Sequence, residues 1–73
     1  MNIEDFISEF SFIFEDTNID DLKPSTSYLD LDEWDSMVAL ATMAHFDEKF
    51  KITIEPEVLF NCQSFSDLLS KIT

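Results

Sequence analysis

The stretch LDEWDSMVALATMAHFDEKF, Leu31 to Phe50, decides how this chain folds. From Ser36 onward it holds neither glycine nor proline, and Ala39, Met43, Phe46 and Phe50 fall on one stripe at about 100° per residue. That spacing predicts an amphipathic helix from about Ser36 to Phe50 with the stripe in the core. Asp35 or Ser36 is its N-cap, and Lys49 and Lys51 sit near its negative C-terminal end. The opposite face reads Met37, Val38, Ala41, His45 and Glu48, one acid among small and apolar side chains. Apolar residues grouped at an exposed helix face suggest an interaction surface, unless Met37 and Val38 fold inward against Ile54 or Leu59.

Upstream of this helix, Thr17 to Asp35 is rich in Asp, Asn, Ser, Thr and Pro and has no sustained period, so it reads as a long connection with at most a short helical turn. Leu22, Tyr28, Leu29 and Leu31 are expected to pin it to the core, while Asp20, Asp21, Asp30, Asp32 and Glu33 stay in water. Further upstream, Ile3, Phe6, Ile7, Phe10, Ile13 and Phe14 recur at helical spacing. They predict a first helix capped by Asn2 and ending near Asp16. Downstream, Ile52 to Ile54 is a short extended link, Pro56 opens a short third helix through Asn61, and Ser64 caps a fourth through Ile72. In the fourth helix Asp67 imitates a capping box, and Phe65, Leu68, Leu69 and Ile72 face inward. The result is one all-α domain over residues 1–73, with three main helices, a short third one and a core that includes Phe6, Phe10, Phe46, Phe50 and Phe60.

Composition narrows the function. A chain of 73 residues buries only about 60% of its unfolded surface, too little for a large catalytic cleft. One cysteine and one histidine leave no disulfide or structural metal, so packing of eight Phe, one Trp and one Tyr must hold the fold. Four lysines against sixteen acids give a net charge of −12, which repels nucleic acid and anionic membranes and steers the domain toward basic protein partners. No segment reads as a membrane span or secretory signal, and the unpaired cysteine agrees with a cytoplasmic location.

The chemistry-bearing position is Ser36, delivered by an exposed loop to the start of an amphipathic helix. A hydroxyl there is accessible to a modifying enzyme, and an anion attached to it would meet the unpaired N–H groups and positive dipole end of the helix, worth about 0.3–1 kcal/mol when exposed. Ser36 has no histidine or other acid–base partner nearby in sequence, which points to a substrate for modification and not a nucleophile; no catalytic residue and no metal site are expected. Taken alone, Asp-Ser before an apolar helical run is a cap.

The segment Asp35-Ser36-Met37 resembles the prosthetic-group attachment site of acyl carrier proteins, whose pattern is Asp-Ser-Leu at the start of the second helix. Length, acidity, the long first connection, Phe50 at the end of helix two and the short helix before the last extend the resemblance over nearly the whole chain. It implies a four-helix bundle of acyl carrier type and a 4′-phosphopantetheine arm, derived from coenzyme A, on Ser36. It also implies a non-enzymatic role, holding acyl or aminoacyl thioesters as a monomer. The implied partners are a phosphopantetheinyl transferase, an acyl- or aminoacyl-loading ligase or transferase, and downstream biosynthetic enzymes. Asp35 matches the family's acid before the serine, which could hold a cation or a basic side chain during arm transfer. Fatty-acid carriers typically present an acidic second helix, whereas this one presents Met37, Val38, Ala41 and Glu48. Together with Trp34 in the pattern Trp-Asp-Ser, that is similar to specialised stand-alone carriers and to peptidyl or aminoacyl carriers. Partner recognition is accordingly assigned to Trp34, Asp35, Met37, Val38, Ala41 and Glu48.

Two other classes compete. An acidic adaptor without prosthetic group would use charge alone and would tolerate Ser36→Ala, and a small serine hydrolase would need a base and an oxyanion pocket that the sequence does not offer. Asp30, Asp32 and Asp35 lack the glycine and terminal Glu of a calcium loop. Cys62, between Phe60 and Phe65, reads as a small buried hydrophobe, and His45 as a surface residue.

Overall fold

Asn2 opens the first helix as predicted: its Oδ1 accepts the N–H of Asp5 at 2.8 Å, and Glu4 and Asp5 occupy the positive first turn. In the computed structural model, which describes residues 1–72, α1 spans Ile3–Glu9 and tightens into a 3₁₀ turn at Phe10–Phe12. The α-helix therefore stops well before Asp16. Residues 10–14 are Phe, Ser, Phe, Ile and Phe, all from the weaker half of the helix scale. The N–H groups of Glu15, Asp16 and Thr17, which a longer helix would return to its own carbonyls, go to the carboxylate of Glu33 instead.

The connection to the next helix contains two 3₁₀ turns, Ile19–Asp21 and Tyr28–Asp30, one more than expected. Leu22 and Tyr28 are buried, with Leu29 and Leu31 packed against the core edge, so all four residues chosen as pins do hold the loop. The Tyr28 hydroxyl donates to the Leu59 carbonyl at 2.5 Å, and the Ser66 N–H donates to the Pro24 carbonyl at 2.9 Å. These two bonds tie the loop to the C-terminal helices.

α2 runs Ser36–Phe50, as the sequence indicates. It ends without glycine: Lys51 takes the left-handed conformation (φ 60°, ψ 30°), and the N–H groups of Lys51 and Ile52 return to the carbonyls of Asp47 and Phe46, both at 3.1 Å. Pro56–Asn61 forms α3 and Phe65–Ile72 forms α4, with the Ser64 hydroxyl accepting the Asp67 N–H at 3.2 Å. No strand occurs among the described residues.

The core is an aromatic relay. Phe46 of α2 lies 5.2 Å from Phe6 of α1, Phe10 lies 4.8 Å from Phe65 of α4, and Phe65 lies 5.3 Å from Tyr28, which meets Trp34 at 5.0 Å. Such pairs contribute about 0.5–1.5 kcal/mol each beyond their area burial. The relay ends two residues before Ser36, so the core itself fixes where the loop hands over to α2.

Three core assignments change, the first being Phe50, which at the end of α2 is only partly buried against the core. Thr42 is fully buried and Met43 only partly, because the Thr42 hydroxyl donates to the Val38 carbonyl one turn back at 2.8 Å and so enters the core satisfied. Phe60 is 48% exposed: on the six-residue α3, Leu59 takes the inward position and its neighbour points away.

Candidate site at the head of the second helix

Asp35 is extended (φ −152°, ψ −175°), and its Oδ1 accepts the N–H of Val38 at 2.9 Å while its carbonyl accepts that of Ala39 at 2.9 Å. The N-cap is therefore Asp35, and Ser36 becomes the first residue of the helix. Its side chain is exposed beside an open first turn. The cap uses the N–H groups of Val38 and Ala39 and leaves those of Ser36 and Met37 for an anion attached at the hydroxyl. With fifteen residues in α2 behind it, the helix dipole favours negative charge there.

The loop that delivers Ser36 is held by Glu33, which the sequence reading left in water. Glu33 is partly buried, with Oε2 2.6 Å from the Glu15 nitrogen and Oε1 2.8 Å from the Thr17 nitrogen and 2.7 Å from its hydroxyl; the Asp16 N–H is shared at 3.1 and 3.2 Å. Desolvation pushes this carboxyl up, but the donors from Glu15, Thr17 and Asp16 outweigh it and hold the group below its ordinary 4.5. Nothing in the local pattern marks Glu33 out among so many acids, because its partners lie sixteen to eighteen residues away.

The residues expected to meet partners divide into two groups. Trp34 is partly buried, packed on Tyr28 and 6.4 Å from Phe14, and covers the core. Val38 is half-buried against the same core, which corrects its placement on the exposed face: 100° from Met37, it lies at the edge of the buried side. Met37 is 72% exposed, and Ala41 and Glu48 are exposed. Leu40, 59% exposed, and the exposed Ala44 belong with them although the sequence reading omitted both. Positions 37, 40, 41, 44 and 48 fall within about 100° of arc, diametrically opposite the buried Ala39, Thr42 and Phe46. The outer face of α2 is thus an apolar stripe that reaches acids only at Asp47 and Glu48.

His45 lies beside this stripe, partly buried, and joins α2 to α1. Its Nε2 is 2.8 Å from Glu9 Oε1, onto which Lys49 Nζ also donates at 2.9 Å. The hydrogen bonds from His45 and then Lys49 hold the Glu9 carboxyl below its usual range against the upward push of burial. Cys62 is buried as expected, and burial, then the nearby Asp67, raise its thiol pKa.

An acidic helical domain with an exposed serine heading its longest helix, no strand among its described residues and an aromatic core behind the site has the architecture of a small carrier domain. A family model described as the phosphopantetheine attachment site matches residues 13–72, which is 60 of the 73 residues, and the chain belongs to that family. It is an acyl carrier-type domain that bears 4′-phosphopantetheine covalently. No curated protein and no solved structure matches the chain. No helix among the described residues is long and apolar enough to cross a membrane.

Proposed function

We propose that Ser36 is the residue that carries the arm and that the whole of residues 1–73 acts as one carrier domain for acyl or aminoacyl intermediates. The observation that carries this reading is the position of Ser36: exposed, first in α2, next to the Asp35 cap and inside the segment matched by the family model. When bound, the arm supplies a thiol that holds cargo as a thioester. The chain's own residues do the rest. Asp35 fixes the first turn, the N–H groups of Ser36 and Met37 receive the phosphodiester charge, and Glu33 and Trp34 hold the loop against the core.

The domain supplies recognition, and phosphopantetheinyl transferase, loading and downstream biosynthetic enzymes supply catalysis. Tethering lets one cargo meet several active sites at high effective concentration. Met37, Leu40, Ala41 and Glu48 form the contact face, with Asp35 beside it. Its apolar character favours enzymes of a specialised pathway, acting on a carrier in the cytoplasm, over those of bulk fatty acid synthesis, whose carriers are acidic on this helix. The net charge of −12 disfavours both self-association and nucleic acid.

The test is intact mass after incubation with a phosphopantetheinyl transferase, coenzyme A and magnesium. A gain of one phosphopantetheine that maps to Ser36 and is absent from Ser36→Ala supports the reading. No gain with several transferases would leave an acidic adaptor as the better description.

A further inference from the structure

Phe12 is 71% exposed, as open as Met37, yet it is held in place. Its ring stacks on His45 at 5.8 Å and 20°, and Lys49 Nζ sits 4.9 Å from its centroid. Both partners are themselves fixed by Glu9. A rigid exposed aromatic loses little conformational entropy when it is covered, the property of an interface anchor.

Its location gives it a role. Counting about 100° per residue, Ser36 lies on one flank of the apolar stripe of α2 and His45 on the other, nine residues or about 13 Å further along the axis. Phe12, stacked on His45, widens the stripe on the side away from Ser36. An interface of standard size covers about 800 Å² on each partner, a patch roughly 30 Å across. A patch of that span laid over the stripe from Ser36 extends to His45, on which Phe12 stacks.

We propose that Phe12 extends the contact face of α2 and is an anchor for the phosphopantetheinyl transferase that acts on Ser36, through a transferase patch that is apolar at its centre and basic at its edge. The inference rests on Ser36 being the attachment residue. Charge narrows the occupant to a protein with a basic rim, and modification at Ser36 makes that protein the transferase. The exposed acids Glu15 and Asp16 follow Phe12, and Asp47 and Glu48 close the far end of the stripe, whereas the nearest cation, Lys49, is engaged by Glu9. A second copy of this chain or an anionic membrane would meet like charge.

The experiment measures kcat and KM for the full chain with the transferase of the same organism, for wild type, Phe12→Ser, Phe12→Leu, Leu40→Ser and Phe60→Ser. Phe12→Ser and Leu40→Ser are expected to raise KM about tenfold with kcat within twofold of wild type. Phe12→Leu should fall between, Phe60→Ser should match wild type, and added salt should raise KM for all. Thermal midpoints identify any variant that does not fold, and Leu40→Ser and Phe12→Leu then carry the test. Wild-type KM in the folded Phe12 variants, or a dimer in sedimentation that Phe12→Ser dissolves, would overturn the proposal. Failure to modify the wild type at all would instead overturn the reading of Ser36.

Discussion

Glu33 Oε1 accepts two hydrogen bonds from Thr17, one from the backbone N–H at 2.8 Å and one from the hydroxyl at 2.7 Å. Together with the bonds to Glu15 and Asp16, this carboxylate closes the end of the α1 segment onto the loop that carries Trp34 and Ser36.

The depressed pKa of Glu33 fixes how this clamp responds to acid. A carboxyl whose folded pKa lies below its unfolded value of about 4.5 stabilises fully above that value and loses the contribution as pH falls through the folded pKa. Wild type should therefore be more stable than Glu33→Gln at pH 7, with the gap constant down to about pH 4.5 and closing below it, where the protonated acid and the amide are near equivalents. Denaturant midpoints at low protein concentration measure this, since the sequence pI of about 4.1 promotes association in the same range. A gap that does not change with pH would mean that charge plays no part in the clamp.

Tyr28 is the only tyrosine, so tyrosinate absorbance reports this one group. Burial, then the neighbouring Cys62 and Asp67, raise its pKa above the ordinary 10. A raised pKa contributes stability that is present below pH 10 and lost as pH climbs through the folded value. Tyrosinate should consequently form only together with loss of helical circular dichroism, and not as a separate transition near pH 10. Tyr28→Phe leaves the Leu59 carbonyl without its donor and should cost about 1–3 kcal/mol in denaturant unfolding. Titration near 10 in the folded protein would contradict the burial described for this residue.

How much of this was legible in sequence depends on the range of the interaction. The ends of α2, the Asn2 and Ser64 caps and Pro56 at the start of α3 follow from residues within four positions of one another, and all were read correctly. Thr42 was missed because a threonine counts as polar until its own i−4 carbonyl is seen to satisfy it. The early end of α1 and the role of Glu33 are one event, since a distant acid takes the donors that would have prolonged the helix. Phe12 did leave a signal: it is the one aromatic in residues 3–14 outside the i, i+3, i+4 pattern, which marks it as outward-facing but not as stacked on His45. The place of Ser36 at the start of α2 was legible because a helix start, an acidic cap and an apolar run are all local.

Asp35 performs a task that can be separated from charge. As N-cap it holds the Val38 N–H, and asparagine caps as well as aspartate. Asp35→Asn should keep the thermal midpoint close to wild type, whereas Asp35→Ala should lose about 1 kcal/mol, or about 4–8 °C in a domain of this size. We propose that the same carboxylate, adjacent in sequence to Ser36, also holds a cation or a basic side chain of the transferase while the hydroxyl is modified. Asp35→Asn should therefore be loaded more slowly than wild type although it is equally stable, and Asp35→Ala should be both slower and less stable. Loading of Asp35→Asn at the wild-type rate would reduce Asp35 to its cap, and a fall in stability equal to that of Asp35→Ala would show that the amide does not replace the cap in this loop.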